Sequence, residues 1–390
     1  MRVLFAISPG LDHLYPALGL AWSLRIAGHD VVVATSGPAT DAATRAGLAA
    51  VDVAPGVDFA SLFPKPESTE DRARMMRERG RKMTETLATP EIILDRFAAV
   101  NDRMLDGTLS LARTWGADLV VYSRVQGSAL VVARAMGIPA VENGYSFLRE
   151  GELPGRFLPY LKPLYERHEI PVELPETVQL HFAPEFMMRG EGEGWSVRFT
   201  PYQGGSVLPD WLLRPRERRR VVVTLGTVVP GVSGAGSLHG LIEAAAESDA
   251  EFVLALGDDI DLSPLGTLPD NVRPVGWTPL STLLPTLDGI IHHGGCATTL
   301  SSAQAGVPQL AIPHGADNWI NANMIEDCGI GFQRELEDFT KEDLDLILDD
   351  TNLRSRCAEV AGNIALQPGP DLMVPQLAAL ATNRSAIPAG

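Results

Sequence analysis

What constrains this chain most is an alternation of two periods that runs through it twice. Val3 to Ser8 form a short apolar run, LYPALGLAWSLRIAG spaces its apolar residues helically up to a stop at Gly28, and DVVVAT is apolar again. Continuous apolar runs of this length, separated by amphipathic stretches, are the pattern of buried parallel strands joined by helices. The order returns in ADLVVYS, SALVVARAMG and IPAVENG, so the first half reads as a Rossmann-like domain. Glycine, proline and arginine then accumulate in GGSVLPDWLLRPRERRR, a break in the pattern. Beyond it VVVTLGT, EFVLALG, VRPVGW, DGIIHH and PQLAIPHG repeat the architecture.

At 390 residues the chain is longer than a single core usually grows. The expected fold class is therefore α/β, with two facing Rossmann-like domains and an interdomain cleft. Residues 1–205 form the first domain, 206–218 the linker and 219–365 the second domain. Residues 366–390 return toward the first domain, with a helix from about Leu372 to Thr382. Two segments fall outside the alternation. TEDRARMMRERGRKM, within Pro55 to Asn101, has no strand neighbours and reads as an inserted helical region, either a solvated surface helix or a wall over a substrate cleft. Ser146 to Pro184 reads as irregular and as the opposite wall.

Charge and cysteine usage narrow the partners. With 49 acidic and 32 basic residues the net charge is -17, which opposes binding to nucleic acid or to an anionic membrane surface. Cys296, Cys328 and Cys357 are odd in number and lack C-x-x-C spacing, so neither a disulfide framework nor a zinc knuckle is indicated. The opening MRVLFAISPG is a strand rather than a secretion signal, and no stretch reads as a membrane span. A cytoplasmic location is expected.

The densest chemistry lies in IIHHGGCATTLSSAQAG. Adjacent His292 and His293 on an extended strand point to opposite faces, so they do not converge on a metal, and no metal is expected. His292 suits inward packing. Gly294 and Gly295 permit close backbone approach, Thr298 and Thr299 offer hydroxyls, and LSSAQAG continues a helix whose N-terminal amides can meet an anion. With His293 beside them, these groups suit a diphosphate. The P-loop lysine is missing, which weakens an ATPase reading.

The blocks MRVLFAISPGLDHLYPALGLAWSLRIAGHDVVVA, VVVTLGT, VGWTPLSTLLP and HHGGCATTLSSAQAGVPQLAIPHGADNWINA, in that order, resemble the inverting GT-B glycosyltransferases that decorate polyketide and enediyne antibiotics with deoxysugars. The calicheamicin glycosyltransferases are the nearest members named by this resemblance. It implies that Trp277 stacks near a nucleobase whose edge is read around Thr278. Gly226 and Thr227 would approach the phosphates, while His293, Gly295, Ala297 and Thr298 hold the diphosphate. Asp317 and Asn318 would face the donor sugar. Ser301 stands where related plant enzymes carry a ribose-binding glutamate, and Leu280 where users of uridine diphosphate carry glutamine; both favour a thymidine-diphosphate (dTDP) deoxysugar as co-substrate, with no separate cofactor.

His13 follows the first strand, at the carboxyl edge where open parallel sheets bind ligands, and histidine is suited to proton transfer near neutral pH. It also matches the family's general base. Where relatives orient that histidine with a carboxylate, this chain has Ser123. The base then acts alone, through Ser123, or with another carboxylate such as Glu142. The expected partners are a nucleotide-sugar donor and a hydrophobic aglycone, with a homodimer left open. A sugar-nucleotide epimerase and a non-catalytic helper are the alternatives.

Overall fold

The computed structural model describes residues 1–63, 68–225, 238–257, 260–315 and 317–382. The chain divides into two compact units. One comprises Met1–Lys65, Ala88–Gly204 and Gln367–Gly390; the other comprises Pro66–Leu87 and Gly205–Leu366.

The first unit is built on β1 (Arg2–Ala6), β2 (Asp30–Thr35), β3 (Ala49–Asp52), β4 (Leu119–Ser123), β5 (Ala140–Gly144), β6 (Leu148–Glu150), β7 (Thr177–His181), β8 (Arg189–Glu191) and β9 (Trp195–Ser196). Seven of these form a sheet in the order β3-β2-β1-β4-β5-β7-β9, every neighbour parallel, while β6 and β8 pair separately. The chain leaves β1 toward β2 and β3 and returns to β4 on the other side, so the topological switch lies between β1 and β4. In an open α/β sheet the crevice at that point, outside the carboxyl ends of the strands, is where ligands bind. Leu4, Phe5, Val120 and Val121 are all buried, because helices cover both faces of the central strands.

The second unit carries β10 (Arg220–Thr224), β11 (Glu251–Ala255), β12 (Val272–Val275), β13 (Gly289–His292), β14 (Gln309–Ala311) and β15 (Gly331–Gln333). Their order is β12-β11-β10-β13-β14-β15, again parallel throughout, with the switch between β10 and β13. Val221, Val223, Phe252, Leu254 and Ile291 fill the core on one face of this sheet. Val222, Val253 and Ile290 pack on the other face with Leu280 and Leu283.

Three features differ from the sequence expectation. The charged helix Thr69–Thr86 groups with the second unit, not with residues 1–205, because it packs on the helix Asn318–Asp327. Met76 lies so close to Gly315 that a side chain at 315 would meet it. Ser146 to Pro184 is not irregular. It contains β6, β7 and the helix Leu153–Arg167, which buries Leu153, Phe157, Leu161 and Tyr165 in the core of the first unit. Exposed Pro159 and Pro163 lie inside that helix and mask its period in the sequence. Finally, the expected linker includes a short helix, Asp210–Leu213, whose Trp211 ring lies under the guanidinium groups of Arg220 and Arg273 at 4.9 and 5.3 Å. The helix Pro370–Thr382 belongs to the first unit and packs on the helix Leu18–Ile26.

Candidate active site

His13 sits on a single turn, Leu11–Leu14, at the carboxyl end of β1 beside the switch point of the first sheet. Its ring is buried. The Tyr145 hydroxyl is 2.7 Å from Nδ1, with the two rings edge to face at 5.4 Å and 89°. Phe97 of the helix Glu91–Trp115 packs edge-on against the imidazole at 5.9 Å, and Phe63 packs on Phe97. Nε2 lies 4.0 Å from Asp12, whose carboxylate is 77% exposed, so solvent screens that attraction. The surroundings of this imidazole are thus aromatic on two sides.

Ser123 ends β4 and is fully buried, but its hydroxyl does not serve His13. It accepts the Ser8 N–H at 3.0 Å and lies 3.3 Å from the Ser8 hydroxyl, which donates to Gln126 Oε1 at 2.8 Å. Ser123 therefore pins the loop that carries His13 five residues further on. Glu142 pairs in register with Tyr122, whereas Ser123 pairs with Asn143, so Glu142 and Ser123 project from opposite faces of the sheet. The Glu142 carboxylate accepts from Gln179 Nε2 at 3.2 Å, and burial raises its pKa to about 7 against the opposing pull of Arg124. Ser123→Ala strands the Ser8 amide and is expected to lower the unfolding free energy by about 1–2 kcal/mol in denaturant titration. Turnover should stay within a few-fold of the parent.

In the second unit β13 ends at His292, beside the switch point. The Gly294 N–H donates to His292 Nδ1 at 3.1 Å, so the ring proton lies on Nε2, which donates to Gln309 Oε1 at 3.0 Å. Full burial holds this imidazole neutral, with a pKa lowered to about 3, as an internal brace between β13 and β14. His293 faces the other way. Its pKa is lowered to about 4, first by burial and then by neighbouring His314, and its Nδ1 has no hydrogen-bond partner among the described residues. Gly295 caps the helix Cys296–Gln304 without any side-chain capping bond, and a Cβ at 295 would collide with His293 Nε2. The first intrahelical bond is from Thr299 N–H to the Gly295 carbonyl, which leaves the amides of the first turn, Ala297 and Thr298 among them, outside the helical ladder. An imidazole beside a helix N-terminus without a side-chain cap is suited to an anion.

A second loop is tied to this one. Asn321 Nδ2 donates to the Gly294 carbonyl at 2.7 Å and to Asp317 Oδ2 at 3.1 Å. Gly294 has φ +80°, and a Cβ there would press on the Asn318 carbonyl, so glycine is required on both counts. Buried Asn318 uses its side-chain oxygen to accept the Gly315 N–H at 3.1 Å. His314 Nδ1 donates to the Ile312 carbonyl at 2.5 Å. Trp277 follows β12 and is 39% exposed, and Thr278 Oγ1 donates to the Gly276 carbonyl at 3.1 Å. Ser301 is buried and donates to the Ala297 carbonyl at 2.7 Å, and Leu280 belongs to the core. Gly226 and Thr227 lie outside the described residues.

Tyr145, Phe97, His314 and Asn321 are the residues that sequence reasoning passed over. Tyr145 and His13 are 132 positions apart, and only the order of β1, β4 and β5 brings them together. Asn321 carries a weaker signal: it stands four residues after Asp317, one helical turn away. Among the described residues no three His, Cys, Asp or Glu side chains group as a metal site, and no described helix is long and apolar enough to cross a membrane.

The model of the erythromycin biosynthesis protein CIII-like N-terminal domain matches residues 22–226, and that of the corresponding C-terminal domain matches residues 239–380. The chain is 38% identical over 383 residues to elloramycin glycosyltransferase ElmGT of Streptomyces olivaceus, covering 95% of each. The crystal structure of the glycosyltransferase SnogD from Streptomyces nogalater matches with a TM-score of 0.84 at 38% identity, covering 98% of this chain and 99% of that one. Glycosyltransferase VinC, solved in complex with dTDP, matches with a TM-score of 0.78 at 26% identity over 98% of this chain and 99% of its own. The chain belongs to the erythromycin biosynthesis protein CIII-like family of antibiotic glycosyltransferases, with a GT-B-like fold, and is a nucleotide-sugar-dependent glycosyltransferase.

Proposed function

We propose that the protein moves a deoxysugar from a thymidine-diphosphate sugar to a hydroxyl of a polyketide-type aglycone with inversion, His13 acting as general base. The observation that carries this reading is a repeated placement: each sheet presents a histidine at the carboxyl ends of its strands beside its own switch point, His13 among aromatic side chains and His293 at a helix N-terminus. The first suits an apolar alcohol and the second a diphosphate. In the transfer, a lone pair of the acceptor oxygen forms the bond to the anomeric carbon while that carbon's bond to the diphosphate oxygen breaks. The electron pair leaves on the diphosphate, and the acceptor's proton passes to His13 Nε2. The first-turn amides of the Cys296 helix and His293 meet the leaving charge, which requires no divalent metal.

In the same reading Trp277 stacks on the base, Thr278 lies at its edge, and Gly226, Thr227, Gly295, Ala297 and Thr298 surround the phosphates. Asp317 and the Asn318 amide face the sugar. Kinship with the calicheamicin glycosyltransferases inside the family rests on the four sequence blocks. Action in the cytoplasm is supported by three buried cysteines, none of which forms a disulfide among the described residues. Screening thymidine-diphosphate deoxysugars against polyketide aglycones, with mass detection, tests the reading: glycosylated product supports it, and an isomerised sugar from donor alone points to an epimerase.

Specificity for the nucleotide follows from Ser301, whose hydroxyl is committed to its own helix and offers no carboxylate to a ribose diol. Thymidine diphosphate is expected to bind more tightly than uridine diphosphate by about 0.5–1.5 kcal/mol, the worth of one ordinary hydrogen bond. Competition calorimetry in which uridine diphosphate wins would contradict it.

A further inference from the structure

The arrangement around His13 raises the question of what holds its imidazole in a state able to accept a proton. A histidine acts as base through one nitrogen only when its proton rests on the other, and the partner of that other nitrogen decides the matter. Here the two nitrogens have different neighbours. Nδ1 faces the Tyr145 hydroxyl at 2.7 Å, within good hydrogen-bond range, whereas Nε2 is 4.0 Å from the exposed Asp12 carboxylate, beyond that range. Neither Ser123, bonded to Ser8, nor Glu142, on the other face of the sheet from Ser123, occupies the place of Tyr145.

We infer that Tyr145 is the positioning residue of His13: its phenolic oxygen accepts the Nδ1 proton and so keeps Nε2 open to the acceptor's proton. The inference rests on the proposed role of His13 as base. The packing supports it independently of any titration. Tyr145 stands perpendicular to the imidazole and Phe97 closes a second side, so the ring is wedged against rotation about its side-chain bonds. Tyr145 is itself placed by a tight passage of the chain: a Cβ on preceding Gly144 would collide with the Leu180 carbonyl of β7. A reversed bond, with the phenol donating to Nδ1, would leave the proton on Nε2 and make that nitrogen useless as a base.

A phenol differs from a carboxylate in one respect that matters. It fixes the tautomer and the ring direction, but being neutral it lends no ionic support to the imidazolium formed during transfer. Misplacing a reacting group by about 1 Å costs on the order of 100-fold, so Tyr145→Phe is expected to lower single-turnover transfer by about 10- to 100-fold, less than removal of His13 itself. The KM for acceptor and the affinity for thymidine diphosphate should not move.

The experiment is a double-mutant cycle on the full chain, using the thymidine-diphosphate sugar and aglycone pair found by the screen, with thymidine-diphosphate binding as the check on folding. If Tyr145 acts through His13, Tyr145→Phe slows the parent but adds nothing in a His13→Ala background. An equal loss in both backgrounds assigns Tyr145 a structural role and overturns the inference, and so does a parent rate in Tyr145→Phe when His13→Ala is impaired. A His13→Ala protein as fast as the parent removes the base reading first, and the inference with it. A second readout needs no substrate. In chain labelled with nitrogen-15 at histidine, in weakly alkaline buffer, long-range correlations assigned by comparison with His13→Gln should show the proton on Nδ1 in the parent and a shift toward Nε2 in Tyr145→Phe. A parent ring protonated on Nε2 would overturn the inference.

Discussion

His13→Ala is expected to bind thymidine diphosphate as the parent does while transferring sugar about 10²- to 10⁴-fold more slowly. The donor groups in this account, His293 and the Cys296 helix, lie in the second unit, whereas His13 lies in the first. Removing the imidazole takes away the proton acceptor but none of the groups assigned to the phosphates. The loss should therefore appear in kcat at saturating donor and not in calorimetric donor affinity. His13 is buried among Phe97 and Tyr145, so truncation also opens space between two aromatic rings. His13→Gln, closer in size, controls for that and should be impaired as well, because an amide does not accept a proton at neutral pH.

The converse result is expected at the other histidine. His293→Ala should weaken binding of thymidine diphosphate by about 1.5–3 kcal/mol, the worth of a hydrogen bond to a charged group. With its pKa lowered to about 4, the His293 ring is neutral near pH 7, so a ring N–H donates to the anion without a formal positive charge. A bound diphosphate favours the protonated ring, so binding should strengthen and take up protons as the pH falls from neutrality toward that value. In His293→Ala both the affinity and the proton uptake should drop. Isothermal titration in buffers of different ionisation enthalpy reads both, and unchanged affinity would reject the assignment. His292→Ala is a contrasting control. It removes the brace between the Gly294 amide and Gln309, and should cost stability before it costs affinity.

What is legible in the sequence depends on the range of each interaction. Strands buried on both faces read as continuous apolar runs, which is why β1, β4, β10 and β13 could be placed from VLFAIS, DLVVYS, VVVT and GIIHH. The opposite directions of His292 and His293 follow from strand alternation alone. Packing partners were less accessible. The amphipathic pattern of TEDRARMMRERGRKM announces a helix but not which surface receives it, and the helix lies on Asn318–Asp327, far along the chain. The helix Leu153–Arg167 was hidden because Pro159 and Pro163 look like breakers until they are seen on its exposed side. The Ser123 hydroxyl serves Ser8, and the group on His13 comes from just beyond the end of β5. A single hydrogen bond across 132 residues leaves no local pattern to read.

The proposed division of labour puts proton removal at His13 and diphosphate binding at His293. Single-turnover transfer with both donor and aglycone saturating tests it most directly, since binding differences then drop out and only the chemical step is read. His13→Ala, folded and binding both substrates, is expected to react about 10²- to 10⁴-fold more slowly than the parent. A His13→Ala enzyme that binds both and reacts at the parent rate would contradict it.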